Sequence, residues 1–326
     1  MIVTFGPALL NDLVPTIIRS EFIYESAPFP SCHAATICET RPGEFLAAWF
    51  GGTAESNPDV AIYTSKLKKG HWSVPQETAR GFDGGGNRLP CYNPVLFQPS
   101  RGPLLLFYKV GRGPQTWWGM SMSSKDDGTA WSKLTKLPDG IYGPIKNRPF
   151  ELPDHTLLCP SSTEDHGWQV HFEFTKDFGH TWSRTEPIND PKQIGAIQPS
   201  ILVLKDKSLR AIGRTQQGFV FSTDSMDQGK SWSPMILTGV QNPNSGLDAI
   251  TLRDGRHIMI DNDTPKGRTP LNVFISNDGT NWKNVLALES EPGEYSYPSL
   301  IQAHDGTVHV VYTWRRQRIR HVELRV

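Results

Sequence analysis

The sequence predicts an all-β protein, a six-bladed β-propeller, and three observations predict it. A tryptophan-ending phrase recurs: "SSKDDGTAWS" (Ser123 to Ser132), "TKDFGHTWS" (Thr175 to Ser183), "SMDQGKSWS" (Ser225 to Ser233) and a shortened "SNDGTNW" (Ser276 to Trp282). Its tryptophans, Trp131, Trp182, Trp232 and Trp282, are separated by 51, 50 and 50 residues, the period of a repeat architecture. Between the phrases lie short apolar runs broken by Gly, Asp and Lys turns, which read as antiparallel strands.

Each unit has the same layout. A first run ("QPSILVLKD") turns into a second ("SLRAIGRT"), and a third leads into the phrase. The units fall at about 31–73, 92–132, 147–183, 197–233, 246–284 and 296–326, the first ending in a degenerate "SKLKKGHWS". One small sheet cannot bury both its faces; stacking six around an axis does. The last unit shows only three strands, so an N-terminal strand at 16–25, within "PTIIRSEFIYE", is expected to supply the fourth and close the ring. In the repeated phrase the Asp accepts backbone N–H groups in a tight turn, Gly permits positive φ, and the Trp covers a blade. It reads as a folding device.

Composition narrows the partners. Of 326 residues, 33 are Lys or Arg and 33 are Asp or Glu, so the formal net charge is zero, with no footprint for nucleic acid or an anionic membrane. No apolar run reaches the roughly 20 residues of a membrane span. The start "MIVTFGPALLNDLVP" is a poor secretory signal, and the scattered Cys32, Cys38, Cys91 and Cys159 read as buried thiols. The expected location is therefore cytoplasmic, or extracellular if a leader has been removed. No cofactor is expected.

The recurring phrases resemble the Asp boxes, or BNR repeats, of the sialidase superfamily. The wording "NPNSGLDAITLRDGR" and "GEYSYPSLIQAHDGTVHVVYTW" is similar to the group labelled predicted neuraminidases. In this fold, first strands start and second strands end on one face. The starts are read as His33, Asn93, Arg148, Gln198, Asp248 and Tyr297. The ends carry Glu55, Lys109, Glu164, Arg214, Asp263 with Arg268, and Arg315.

The resemblance implies three arginines on a substrate carboxylate, a Tyr nucleophile, a Glu that activates it and an Asp acid/base. Arg214 in "LRAIGRT" and Arg268 in "TPKGRTP" match two of the arginines. Tyr297 matches the nucleophile, with Tyr295 as competitor. Three positions depart: His33 stands where the first arginine is expected, Gln198 where the activating Glu is expected, and Glu55 in "GGTAESNPDV" where the acid/base is expected.

Two arginines facing one pocket suit a carboxylate, because each planar guanidinium donates two parallel hydrogen bonds. The expected partner is thus a carbohydrate bearing a carboxylate, a uronic or sialic acid. Arg88, on "GGGNRLPCYNP", is expected over the pocket, and Asn244 in "PNPNSGLDA" suits hydroxyl recognition. Gln198 cannot take a tyrosine proton, whereas His33 can. The first expectation is therefore uronate β-elimination, with His33 and Tyr297 exchanging protons with C5 and the leaving oxygen. A sialidase-like exo-glycoside hydrolase using Glu55 is the alternative, and a glycan-binding propeller without turnover is the third reading.

Overall fold

The apolar runs are strands because their residues are buried on both faces. Leu104–Val110 (LLLFYKV) is buried at every position, so it reads as a continuous run and not as an alternation. A computed structural model describes residues 14–326. The stretch read for a secretory leader lies almost wholly in 1–13, outside the described residues.

Six antiparallel blade sheets follow one another along the chain, with a two-stranded ribbon, Gly81–Phe82 and Arg88–Leu89, between the first and second. The first comprises Ser31–Arg41, Glu44–Gly52, Ala61–Lys68 and His71–Trp72, with Gln76–Ala79 also on Ala61–Lys68. The second is Cys91–Phe97, Leu104–Val110, Trp118–Ser124 and Thr135–Lys136. The third is Phe150–Glu151, Leu157–Thr163, Gln169–Thr175 and Ser183–Arg184. The fourth is Ala196–Val203, Leu209–Thr215, Phe219–Ser225 and Ile236–Gln241. The fifth is Asp248–Thr251, His257–Asp261, Leu271–Ser276 and Lys283–Glu289. Tyr295–Gln302, Val308–Trp314 and Arg318–Arg325 form the sixth, and Thr16–Phe22 pairs with Arg318–Arg325 as its outer strand. The molecule is a six-bladed propeller whose N-terminal strand closes the ring. Among the described residues no helix is long and apolar enough to cross a membrane.

The core lies between blades. Val95 and Phe107 of blade two pack with Leu157 and Cys159 of blade three, and Leu158 and Phe172 pack with Ala211 and Phe221 of blade four. All four cysteines are buried free thiols.

The repeated phrase forms the turn after each third strand, on the face opposite the starts of the inner strands. Ser225 Oγ donates to Asp227 and accepts from Gly229 N, while the Ser231 N–H donates to Asp227 at 2.9 Å. Thr175, Asp177, Gly179 and Thr181 repeat this set of bonds. So do Ser124, Asp126, Gly128 and Ala130. Two successive residues are left-handed, as at Gln228 and Gly229 (φ 63° and 87°), and a Cβ on the second would lie 2.7 Å from Leu158 Cδ2 of the preceding blade, which favours Gly there. The box docks on the preceding blade: Trp232 stacks on Phe172 at 4.1 Å, and Trp182 meets Phe107 edge-on at 6.0 Å.

Candidate functional site

The inner strands carry a second repeated device, at their opposite ends. Four of them finish in a turn closed by an equivalent bond: Leu152 N to Thr156 O, Leu204 N to Ser208 O, Leu252 N to Arg256 O and Ala303 N to Thr307 O. Counting six residues back from each donor gives Lys146, Gln198, Gly246 and Tyr297. Gln198 and Tyr297 are left-handed (φ 58° and 53°), and the ladder shifts register beside each. Blades one and two have the same bulge at Ala34 and Asn93 (φ 55° and 40°). A bulge re-aims a side chain, here toward the axis.

The ring at the mouth is thus Ala34, Asn93, Lys146, Gln198, Gly246 and Tyr297. Arg148 and Asp248, expected in it, each lie two residues further along, one layer deeper. Asp248 is buried and its oxygens are engaged, accepting from Ser200 Oγ (2.8 Å) in blade four and Leu300 N (3.0 Å) in blade six. Burial pushes its carboxyl up, against the pull of Lys146. Arg148 sits half-buried beside it and faces the same carboxylate.

Tyr297 is the centre of the mouth. Its hydroxyl accepts from Arg214 Nη1 at 2.9 Å and from Gln198 Nε2 at 3.3 Å. Arg214 is held by neutral partners, because Asn244 Oδ1 accepts from its Nε (3.0 Å) and Nη2 (2.6 Å), and the Asn244 carbonyl accepts from Nη2 as well. Asn244 therefore orients the arginine and has its acceptors engaged there. The Arg214 and Arg268 guanidinium groups lie 5.8 and 5.7 Å from the Tyr297 ring centroid, so the two converge on one side chain. Tyr295, the competitor, is buried, and its hydroxyl meets Arg315 at 3.3 Å.

Sequence reasoning missed three residues. Arg316, not Arg315, reaches the cluster: its Nε donates to Glu294 at 2.7 Å and its Nη1 to Glu55 at 2.5 Å. Arg268 donates to the same Glu294 oxygen at 3.3 Å. Glu294 thereby fixes two guanidinium groups from different blades. Lys146 is the third, buried with its Nζ 5.6 Å from the Tyr297 ring centroid. The tripeptide before Tyr297 ("EYS") and the paired arginines of "WRRQ" were the available signals for Glu294 and Arg316.

The remaining candidates disperse. His33 is only 2 % exposed, its ring centroid 4.2 Å from that of Tyr297 and its Nδ1 3.0 Å from Thr313 Oγ1. Burial, then Arg316, Arg268, Arg214 and Lys146, push its pKa well below the usual value. Glu55 is on the loop after blade one's second strand, paired with Arg316. Arg88 braces that loop, donating to the carbonyls of Pro58 (3.3 Å) and Asp59 (3.2 Å). Lys109 is fully buried and donates to the Pro144 carbonyl; burial lowers its pKa to about 7 against the attraction of Glu173. Glu164 is half-buried near Arg214, its carboxyl raised by burial. Among the described residues no group of three or more His, Cys, Asp or Glu could hold a metal ion.

A propeller with Asp-box turns on one face and an arginine-ringed tyrosine on the other is sialidase-like in architecture. A family model described as a BNR repeat-like domain matches residues 43–310, and the chain belongs to that family. The anhydrosialidase of Macrobdella decora is 24% identical over 229 residues, 60% of this chain and 30% of that protein. The chain thus spans less than a third of the length of that curated relative. Among solved structures, a protein of unknown function from Dyadobacter fermentans superposes with a TM-score of 0.80 at 18% identity, covering 96% of this chain and 100% of that one. The NanB sialidase of Streptococcus pneumoniae does so with a TM-score of 0.78 at 14% identity, covering 94% and 70%. At these identities the likeness is one of fold.

The expectation of uronate β-elimination is corrected by these findings. The two relatives above with a named activity are sialidases, and the elimination scheme needs His33 to exchange a proton with the substrate, at C5 or at the leaving oxygen. His33 is instead sealed beside the Tyr297 ring, bonded to Thr313 and surrounded by cations that weaken it as a base.

Proposed function

We propose that the chain is a glycan-cleaving enzyme of sialidase type, an exo-acting glycosidase that takes a terminal sugar bearing a carboxylate. The observation that carries this reading is the 2.9 Å contact between Arg214 Nη1 and the Tyr297 hydroxyl, with Arg268 and Arg316 beside it. Arg214 is held by the neutral Asn244, and Arg268 shares the Glu294 oxygen with Arg316, so these two guanidinium groups keep charge to offer an anionic group of the ligand.

Tyr297 Oη then faces the anomeric carbon next to that carboxylate. The phenolic oxygen forms a bond to this carbon as the glycosidic C–O bond breaks, and the leaving oxygen takes a proton from a carboxylic acid at the mouth, the role read for Glu55. Water subsequently displaces the phenol and leaves the free sugar. Arg214 meets the charge on the phenolic oxygen before attack and as it departs.

Fluorogenic sialosides test this reading: release of fluorophore that disappears in Tyr297→Phe is the expected result. Gln198, where a carboxylate would take the phenolic proton, supports a second reading as a glycan-binding propeller. Saturable binding of sialosides, with no release by the unsubstituted protein at any pH, would establish that one instead.

A further inference from the structure

Lys146 needs an explanation beyond packing. It occupies, in blade three, the ring position that Tyr297 holds in blade six, and it comes to lie alongside the Tyr297 ring. Its Nζ has three acceptors, Asn147 Oδ1 (2.7 Å), the Leu247 carbonyl (2.9 Å) and the Pro298 carbonyl (2.7 Å). Pro298 directly follows Tyr297, and Gly246 makes room for both side chains: a Cβ there would lie 2.9 Å from Lys146 Cε and 3.1 Å from Tyr297 Cδ2. An ammonium group at 4 % exposure is costly to bury, and the buried Asp248 carboxylate one layer deeper answers its charge in part.

We propose that Lys146 is a positioning residue for the reaction, an ammonium group held beside Tyr297 that stabilises its phenolate and stands in for the general base that Gln198 cannot be. This rests on the sialidase-type reading. The phenolic proton passes to solvent water, the Gln198 amide has no site for it, and the electron pair stays on Oη, bonded by Arg214 Nη1 on a ring whose face Lys146 Nζ approaches to 5.6 Å from the centroid.

Every other charged group around Tyr297 has a separate place. Blade one contributes the neutral His33 and Glu55, which pairs with Arg316, blade three Glu164 near Arg214, blade four Arg214 itself, blade five Asp248 and Arg268, and blade six Glu294 with Arg316. Burial and the nearby Arg214 lower Lys146 to about 8, with Asp248 opposing, which leaves it charged at neutral pH.

The test compares Lys146→Gln, which keeps an N–H donor for the carbonyls, with Lys146→Arg, which keeps the charge. On a fluorogenic sialoside at pH 6, Lys146→Gln is expected to lose about 10- to 100-fold in kcat/KM, the deficit shrinking as alkali ionises the phenol, while Lys146→Arg stays within about tenfold. A second readout needs no turnover. The tyrosinate absorbance that is lost in Tyr297→Phe should come in at lower pH in Lys146→Arg, whose charge persists through the ordinary phenol range of about 10, than in Lys146→Gln.

A pH–rate profile of Lys146→Gln parallel to that of the unsubstituted protein, or equal tyrosinate titrations in the two variants, overturns the proposal and leaves Lys146 a strut between blades. If Lys146→Gln fails to fold, a lower titration of Tyr297 in Lys146→Arg than in the unsubstituted protein supports the proposal, and an equal or higher one overturns it. If the unsubstituted protein releases nothing from sialosides, the sialidase-type reading fails, and the titration alone decides what Lys146 does to Tyr297.

Discussion

The two ends of each blade are built from repeats, yet only one end repeats its chemistry. At the rim, the Asp-box turns bear the same hydrogen bonds at Asp126, Asp177, Asp227 and, one residue shorter, Asp278. At the hub, equivalent positions hold Ala34, Asn93, Lys146, Gln198, Gly246 and Tyr297, no two alike. A turn is satisfied within its own few residues, so the same solution serves every copy. The six hub positions face one axis, so the residue at each is selected by what stands opposite it. Asp278 shows the local end well, since the Asn281 and Thr280 N–H groups hold its carboxyl far below the usual range.

Substitutions can break this division. Tyr297→Phe should abolish sialoside turnover, a loss of at least about a thousandfold, with little change in the denaturation midpoint. Glu294→Gln should follow at about tenfold in kcat/KM, because it loosens Arg268 and Arg316 together; equal activity would show that the two arginines hold themselves. Trp232→Ala, at the rim, should leave kcat/KM intact and cost about 3 kcal/mol in denaturant titrations, since it removes the stack on Phe172.

The smallest effect is expected midway between hub and rim. Asp261 is buried, its Oδ1 accepting from Asn242 at 2.7 Å, while its Oδ2 and the cross-strand Asn272 Oδ1 are both without a partner. Burial raises its carboxyl to about 7, with Asn242 opposing. The folded state thus keeps a proton that the unfolded chain releases near pH 4, and this group makes stability fall as pH rises from about 4 to 7. Asp261→Asn should flatten that fall and gain about 1 to 2 kcal/mol at pH 8, read from urea midpoints at several pH values.

Much of the fold was legible in the sequence because its causes are local. The Asp-Gly-Trp phrases, the runs between them and the missing fourth strand of the last blade led to six blades and an N-terminal closure. The mouth was legible where a side chain is carried by a strand end, as with Arg214, Arg268 and Tyr297. It was misread where a bulge or a start two residues earlier sets the register, which moved Arg148 and Asp248 out of the ring and Lys146 into it. Proton transfer by His33 failed for another reason: its burial beside Tyr297 and Thr313 depends on blade six, some 280 residues away in sequence.

The sequence by itself determined the period, the turns and the number of blades, since hydrogen bonds among neighbours and apolar runs of strand length are properties of short segments. Only the tertiary structure decided which charges share the hub. Glu294 between two arginines, and Lys146 beside Tyr297, come together because the ring closes, and closure is a property of all six blades at once.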